Sequence, residues 1–456
     1  MWKDAADYVR SLDLDAYLVG GAVRDELRGI EAPDQDFLVP GVDHAGLKAA
    51  LEPHGRVEDL EVGGRLVGVR FHPRDREARR LAPKGIELAP PRVERSTGPG
   101  RHDFEIVADA SISVEQDLGR RDFTVNAVAR RLATGELVDP FGGADDLRRG
   151  TLRTVSPTSF REDPLRLVRG LRFVSQLGLE PDEDTLRQMR EDAAGVRLVS
   201  AERVGGGLAA DGMGELSKLL LGTRPAHALR LMRDTGVLVE LIPEFGPAIG
   251  HDLGTARQPL PVDEHAFEVV ANAAAMGAAL PVRLAALLHD LGKPLEDEDG
   301  RPHAAIGAEL TGRILRRMRY PERLRDHVVR LVRAHSFHLD GEIDGLRARR
   351  FLAEQGEALA RDLLDHKDAD LRAKEVEPWE LPALAGLRDA VEAERTSPYR
   401  LEDLAVDGSD LIELGFRESP ELGQTLRTLL DVVIEDPTRN TRETLLARAR
   451  EELQRA

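Results

Sequence analysis

Residues 17–25 read Tyr17-Leu18-Val19-Gly20-Gly21-Ala22-Val23-Arg24-Asp25, and Asp34-Gln35-Asp36-Phe37-Leu38-Val39 follows shortly after. A short apolar run meets a Gly-Gly turn, a helix opens, and two carboxylates then stand two residues apart on a second apolar run. If that run is a strand, its period of two points Asp34 and Asp36 to one face. Such a pair can hold a divalent metal through hard oxygen ligands. The turn at Gly20-Gly21 frees backbone N–H groups for a triphosphate at a helix N-terminus. Nucleotidyl transfer needs both parts. Asp-x-Asp by itself is ordinarily a solvated strand end, and Gly-Gly says less; the order and spacing, with Arg24 and Asp25 opening the helix, carry the reading.

Three further constellations bear chemistry. Arg120-Arg121-Asp122-Phe123-Thr124-Val125-Asn126-Ala127 gathers guanidinium, carboxylate, hydroxyl and amide groups suited to phosphate and ribose. In isolation it also reads as a helix start capped by Asp122 or Thr124. Glu162-Asp163-Pro164-Leu165-Arg166 opens a helix and places Asp163 and Arg166 three apart, on one face. Cytosine and adenine each offer an amino donor beside a ring-nitrogen acceptor, which a carboxylate and a guanidinium complement. Guanine and uracil present the reverse pattern, so the pair selects C and A without a nucleic-acid template. The alternative is an ordinary i,i+3 ion pair of little energetic weight. Finally, His265, His289-Asp290, His303, His335 and Asp370 form a spaced imidazole and carboxylate set with the N and O donors of one metal shell. His289-Asp290 closes the apolar run Leu284 to Leu288 and precedes Leu291-Gly292-Lys293.

The elements that position these groups divide in two. Through residue 155, apolar runs of strand length alternate with helical segments: Leu66 to Phe71, Gly85 to Leu88, Phe104 to Val107 and Leu137 to Asp139 read as strands. Arg92 to Arg101, with its charges, glycines and proline, is expected to be a mobile loop. From about residue 156 the period is helical, with breaks near 243–262 and 375–402. The chain has 456 residues, 4% aromatic content, no cysteine and a formal charge of −18. Thiolate metal sites and disulfides are thereby excluded. The acidic balance argues against bulk nucleic-acid binding, although Arg148, Arg149, Arg153, Arg161, Arg166, Arg169 and Arg172 make residues 145–173 locally basic. No leader-like start and no membrane-length apolar run are seen, so no membrane association and a cytoplasmic location are expected. No obligate protein partner is inferred.

Taken together the chain resembles the bacterial class II CCA-adding tRNA nucleotidyltransferases, of the superfamily that includes bacterial poly(A) polymerase. LVGGAVRD with DQDF matches the metal and triphosphate motif, RRDFTVNA the sugar motif, DPFGGADDLRRGTLRTV the hinge motif and EDPLR the amino-acid template. Residues 200–204 with Glu215 to Leu219 resemble the neck motif, and residues 404–440 the closing helical region that holds the tRNA elbow. The His-Asp set is similar to the HD phosphohydrolase domain. The resemblance implies an α+β fold: a nucleotidyltransferase head with a mixed sheet (1–155), an all-α neck with the nucleotide-selecting template (156–245), an HD-type helical domain (246–375) and a helical tRNA-binding tail (376–456). It implies addition of CCA to tRNA 3′ ends from CTP and ATP, with Mg²⁺ on Asp34 and Asp36. Gly20, Gly21 and Arg24 would hold the triphosphate, Arg121, Asp122 and Asn126 the sugar, and Asp163 and Arg166 the base, with Arg169 beside them. Glu87 as a third acid, and Glu162, Arg172, Glu202 and Arg203, are outlying candidates. Gly205-Gly206-Gly207 and the Ala-Asp-Gly before Glu215 depart from the compact neck helix, pointing to an inserted loop or weakly anchored Glu202 and Arg203. Residues 92–101 would correspond to the loop that helps the switch from C to A.

CC-adding, A-adding and poly(A)-adding enzymes share these motifs, and the length of that loop favours full CCA addition. A different class of reading is an HD metal phosphohydrolase acting on RNA ends. In it, His265, His289, Asp290, His335 and Asp370, with His303, hold a second divalent metal whose activated water opens a phosphomonoester or cyclic phosphodiester, or bind metal without turnover.

Overall fold

The computed structural model describes residues 2–31, 35–62, 64–96, 104–108, 110–207, 213–296 and 300–455. Asp34, residues 97–101 and the Ala-Asp-Gly of the neck, all singled out above, lie outside them. Contacts divide the chain into two compact units, Met1–Gly246 with Arg317–Pro321, and Pro247–Arg316 with Glu322–Ala456.

The first unit is built on a seven-stranded mixed sheet. Its strands are β1 (Tyr17–Val19), β2 (Asp36–Leu38), β3 (Gly55–Val62), β4 (Arg65–Pro73), β5 (Ile86–Ala89), β8 (Ala129–Arg131) and β9 (Leu137–Val138), in the order β3-β4-β5-β2-β1-β8-β9. Only β2 and β5 run parallel; the other neighbours are antiparallel. The short β1 and β2 are apolar on both faces because the sheet is covered twice. Leu18 and Phe37 join Val69, Phe71 and Leu88 in one core, while Val19 and Leu38 join Val114, Leu118 and Ala129 in another. A period of two then leaves Asp36 on the second face, level with Glu87 across the parallel register.

Two expectations are corrected here. Of the expected loop, residues 92–96 are a strand: β6 (Arg92–Ser96) pairs antiparallel with β7 (Phe104–Ala108). The neck glycines do not weaken an anchor either. Gly206 N–H donates to Met318 O at 2.9 Å, and a Cβ on Gly206 would stand 1.9 Å from Arg319 O. Gly205 is crowded by Met318 in the same way, and Tyr320, buried beside them, meets Ser217 Oγ at 2.9 Å. Glycine is what this close backbone approach demands.

The helix Leu165–Leu177, which begins just after Asp163 and includes Arg166, runs through the core of the first unit, burying Leu167, Val168, Leu171 and Val174. The second unit is helical. Val262–Ala275, Leu280–Leu288, His303–Arg317, Glu322–Ala334 and Glu357–Leu371 bring together the histidines discussed below, and the remaining helices, from Gly345–Gln355 to Arg442–Arg455, form two further cores. Among the described residues no helix is long and apolar enough to cross a membrane.

Candidate active site and metal centre

Where β1 ends, Gly20 takes φ +70° and turns the chain into the helix Gly21–Leu27. A Cβ on Gly20 would lie 2.8 Å from Arg121 Nη1, so the missing side chain makes room for a cation. Together these groups open a cavity of about 310 Å³ lined by Gly20, Gly21, Asp36, Arg120, Arg121, Asp122, Asn126, Asp163, Arg166, Arg169 and Arg203. Residues far apart in the chain thus meet on one wall.

Asp122 organises the sugar side. Its Oδ1 accepts from Phe123 N–H at 2.9 Å and from the Asn126 amide at 3.0 Å, and Arg169 reaches Oδ2 at 2.8 Å. Burial opposes its charge, yet Arg169 and Asn126 hold the carboxyl below its ordinary value. Residues 124–126 form a single 3-10 turn without a side-chain cap, so the helix-cap reading of Asp122 and Thr124 is replaced by this network. Arg24 is not at the cavity wall. It donates to Asn126 Oδ1 at 2.8 Å and pairs with Asp25, fixing the amide from behind.

On the base side, Asp163 and Arg166 border the cavity with separate partners. Asp163 Oδ1 accepts from Leu165 N–H at 3.1 Å and Oδ2 meets Arg203 at 3.2 Å. Arg166 donates to Ser159 Oγ at 2.9 Å and to Arg120 O at 2.6 Å, and lies 3.3 Å from Glu162. The i,i+3 ion pair is therefore not formed, and both groups are held toward the cavity by others. Glu162, off the cavity wall, is one of these partners and also accepts from Thr158 Oγ1 at 2.6 Å. Arg172 is turned away, paired with buried Glu215 at 3.0 Å and stacked on Phe173. Glu202 lies 3.9 Å from Arg319 and off the cavity wall. Arg203, for which the sequence left open an inserted loop nearby or a weak anchor, is a wall residue. Glu87 is level with Asp36 but is clasped by Arg70 at 2.5 Å. Asp36 and Glu87, oxygen donors side by side on one face, fit a divalent cation.

Sequence reasoning missed Asp117 and Asp146. Asp117 is buried against Arg120 and Arg121; Asp146 is buried against Thr124, Arg149 and Arg153. The i,i+3 and i,i+4 spacing of Asp117 to the two arginines was the available signal.

In the second unit His265, His289, Asp290, His335 and Asp370 are buried together, with His303 at the edge. His289 Nδ1 faces Ala286 O at 3.0 Å and His335 Nδ1 faces Val332 O at 2.7 Å. Each carbonyl requires a proton on Nδ1 and leaves Nε2 turned inward, as metal-ligating histidines are held. His265 Nε2 lies 3.0 Å from Asp370 and 3.5 Å from Asp290 Oδ2; His289 Nε2 lies 3.1 Å from the same oxygen. Lys293 is an ion-pair partner of Asp290 Oδ2 at 2.6 Å, yet neither Asp290 oxygen nor His289 Nε2 makes a well-aligned hydrogen bond. Buried polar atoms left so are what a cation would satisfy. Against burial, Asp290 and Asp370 push His289 up to about 9, whereas burial takes His335 down to about 3. His366, missed in the sequence, is buried 5.0 Å from His289 ring to ring; its spacing of four from Asp370 was the clue.

Residues 16–153 match the poly A polymerase head domain, 178–249 the probable RNA and SrmB-binding site of polymerase A, and 262–374 the HD domain. The multifunctional CCA protein of Neisseria gonorrhoeae is 36% identical over 340 residues, covering 72% of this chain and 76% of that protein. That of Cupriavidus necator is 34% identical over 403 residues, covering 83% and 91%. Among solved structures, the CCA-adding enzyme of Bacillus stearothermophilus in complex with CTP is similar at 25% identity and a TM-score of 0.70, covering 99% of this chain and 96% of that one. The Thermotoga maritima CCA-adding enzyme complexed with tRNA shares the fold, at a TM-score of 0.58 and 20% identity. A poly(A)-polymerase-type head, an HD domain and this extent of likeness together make the chain a member of the CCA-adding tRNA nucleotidyltransferases, the multifunctional CCA protein family.

Proposed function

We propose that this chain adds CCA to tRNA 3′ ends from CTP and ATP, choosing each nucleotide with side chains rather than a nucleic-acid template. The observation that carries the reading is the shared cavity: Asp36, the Gly20-Gly21 turn, the Asp122–Asn126 pair and the Asp163 and Arg166 side chains all line it. The relatives named for CCA addition, and one solved with CTP, support it. Gly20 and Gly21 receive the triphosphate and Arg121 neutralises it. Arg24 keeps Asn126 in place, and Asn126 with Asp122 meets the ribose. Asp163 accepts from the amino group of C or A while Arg166 donates to the ring nitrogen. Asp36, with Asp34 and Glu87, would hold divalent metal, which we take to be Mg²⁺; bound there, it supplies the positive charge that activates the tRNA 3′ hydroxyl and stabilises departing pyrophosphate. We assign catalysis to residues 1–155, nucleotide selection to 156–245 and tRNA contact to 376–456, in a cytoplasmic protein.

A second reading concerns residues 246–375. The inward Nε2 atoms, gathered around the buried Asp290 and Asp370 carboxylates, support a divalent-metal phosphohydrolase acting on RNA ends. Incubating tRNA lacking its 3′ CCA with Mg²⁺ and CTP, ATP or both tests the main proposal. Two additions with CTP and a third only with both are expected. A stop after two, or extension only of CC-ended tRNA, would replace it by a specialist enzyme, and no extension would refute it. Asp36→Ala should abolish every addition.

A further inference from the structure

Asp117 does not itself line the cavity, yet it is completely buried. It sits in the last turn of the helix Val114–Gly119, whose start is locked by a Ser113–Gln116 capping box. Its Oδ1 accepts from Arg120 Nε at 2.9 Å and Nη2 at 2.8 Å, and its Oδ2 from Arg121 Nη2 at 3.2 Å. Oδ1 also accepts from the backbone N–H of Arg92 at 3.2 Å, at the root of β6. One carboxylate thus clasps two of the cavity's arginines and the first residue of the β6–β7 hairpin. The clasp closes over the end of the helix, where carbonyls lack intrahelical partners. One of these, Arg120 O, takes Arg166 Nη2 at 2.6 Å.

We infer that Asp117 is a positioning residue for nucleotide choice, setting Arg120 and Arg121 at the cavity wall and, through the Arg120 carbonyl, the guanidinium that reads the base. The inference rests on the reading of this cavity as the site of CTP and ATP addition. Arg120 and Arg121 hold the Asp117 carboxyl below its ordinary value in spite of burial, so it is anionic in the working range. Removing that charge does not subtract positive charge from the cavity. It frees two guanidiniums to follow the triphosphate and leaves Arg166 on a looser carbonyl. Ground-state binding of triphosphate should survive, while alignment and base discrimination should not.

The test uses the full chain, tRNA lacking CCA, and CTP against UTP, in wild type, Asp117→Asn, Arg166→Lys and the double variant. In Asp117→Asn the KM for CTP is expected to stay within about threefold, with kcat and C-over-U discrimination each down about tenfold. The double variant should discriminate no worse than Arg166→Lys alone, because both changes act on one guanidinium. Unchanged discrimination in Asp117→Asn, or losses that multiply in the double variant, overturn the inference. If Asp117→Asn does not fold, Asp117→Glu, which keeps the charge but moves it, must still shift discrimination. Wild type that adds nothing refutes the reading of the cavity; wild type that adds CCA beside variants of unaltered discrimination refutes only the role of Asp117.

Discussion

Arg169→Met asks whether the buried carboxylate of Asp122 is held by its partner's charge. Arg169 gives Asp122 Oδ2 two donors, Nη2 at 2.8 Å and Nε at 3.0 Å, while Oδ1 keeps the Phe123 N–H and the Asn126 amide. Methionine replaces the stem and withdraws the charge. Breaking a buried pair from one side costs about 3–5 kcal/mol. The two surviving donors, and a guanidinium side chain 34% exposed to screening water, reduce the expectation to about 2–3 kcal/mol near neutral pH. The pH dependence follows from the sign of the shift. In wild type the folded Asp122 lies below the unfolded value of 3.8, so its contribution is whole above that value and is lost as pH falls through the folded one. In the variant, burial acts without its counterweight and raises Asp122. Below that raised value the folded state takes up a proton that the unfolded state does not, and the variant regains about 1.4 kcal/mol per pH unit. The deficit should therefore be smaller at about pH 4.5 than at neutral pH. Urea unfolding in a Trp379→Phe background, with Trp2 reporting on the first unit, measures it. A deficit equal at both pH values would refute the charge argument, as would an Asp122→Asn/Arg169→Met double variant no more stable than Arg169→Met.

Gly206→Ala places a methyl 1.9 Å from Arg319 O and should cost about 2–4 kcal/mol in thermal unfolding of the first unit; a change below about 0.5 kcal/mol would mean the neck yields easily. Gly20→Ala, at φ +70° and 2.8 Å from Arg121 Nη1, should raise the KM for CTP several-fold and lower kcat, and unaltered kinetics would remove Arg121 from the triphosphate site. His289→Ala should lower the divalent metal retained after dialysis, read by elemental analysis, while leaving CTP incorporation intact; undiminished metal content would show that this cage is not the holder.

Much of the site was legible because its chemistry is local in sequence. Gly20-Gly21, Asp36, Arg121-Asp122 with Asn126, and Asp163 with Arg166 each announce a donor or acceptor at a spacing that one strand, turn or helix suffices to present, and all line one cavity. Legibility failed where a residue's role depends on something distant. Arg24 reads as a triphosphate ligand beside the Gly-Gly turn, but its partner is Asn126, some hundred residues later. Residues 92–96 read as a loop on composition, and become a strand because 104–108 offer a partner. The neck glycines read as weakness, since their reason is a backbone contributed by residues 318–320. His366 was passed over because a lone histidine in a helix has no signature until its neighbours surround it.

The amino-acid sequence by itself determined which chemical groups are available: paired carboxylate oxygens, a Gly-Gly turn, a carboxylate and a guanidinium three residues apart, and a set of imidazoles with carboxylates. These are properties of side-chain type and short-range spacing, which the chain carries whether folded or not. Tertiary structure decided which of those groups face the cavity and in what state of charge. It put Arg203 on the wall and Arg172 off it, separated Asp163 from Arg166, and sank Asp117 and Asp122 where arginine partners and hydrogen-bond donors keep them ionised. Such outcomes depend on burial and on partners brought from elsewhere in the chain, and both come into being only when the core closes.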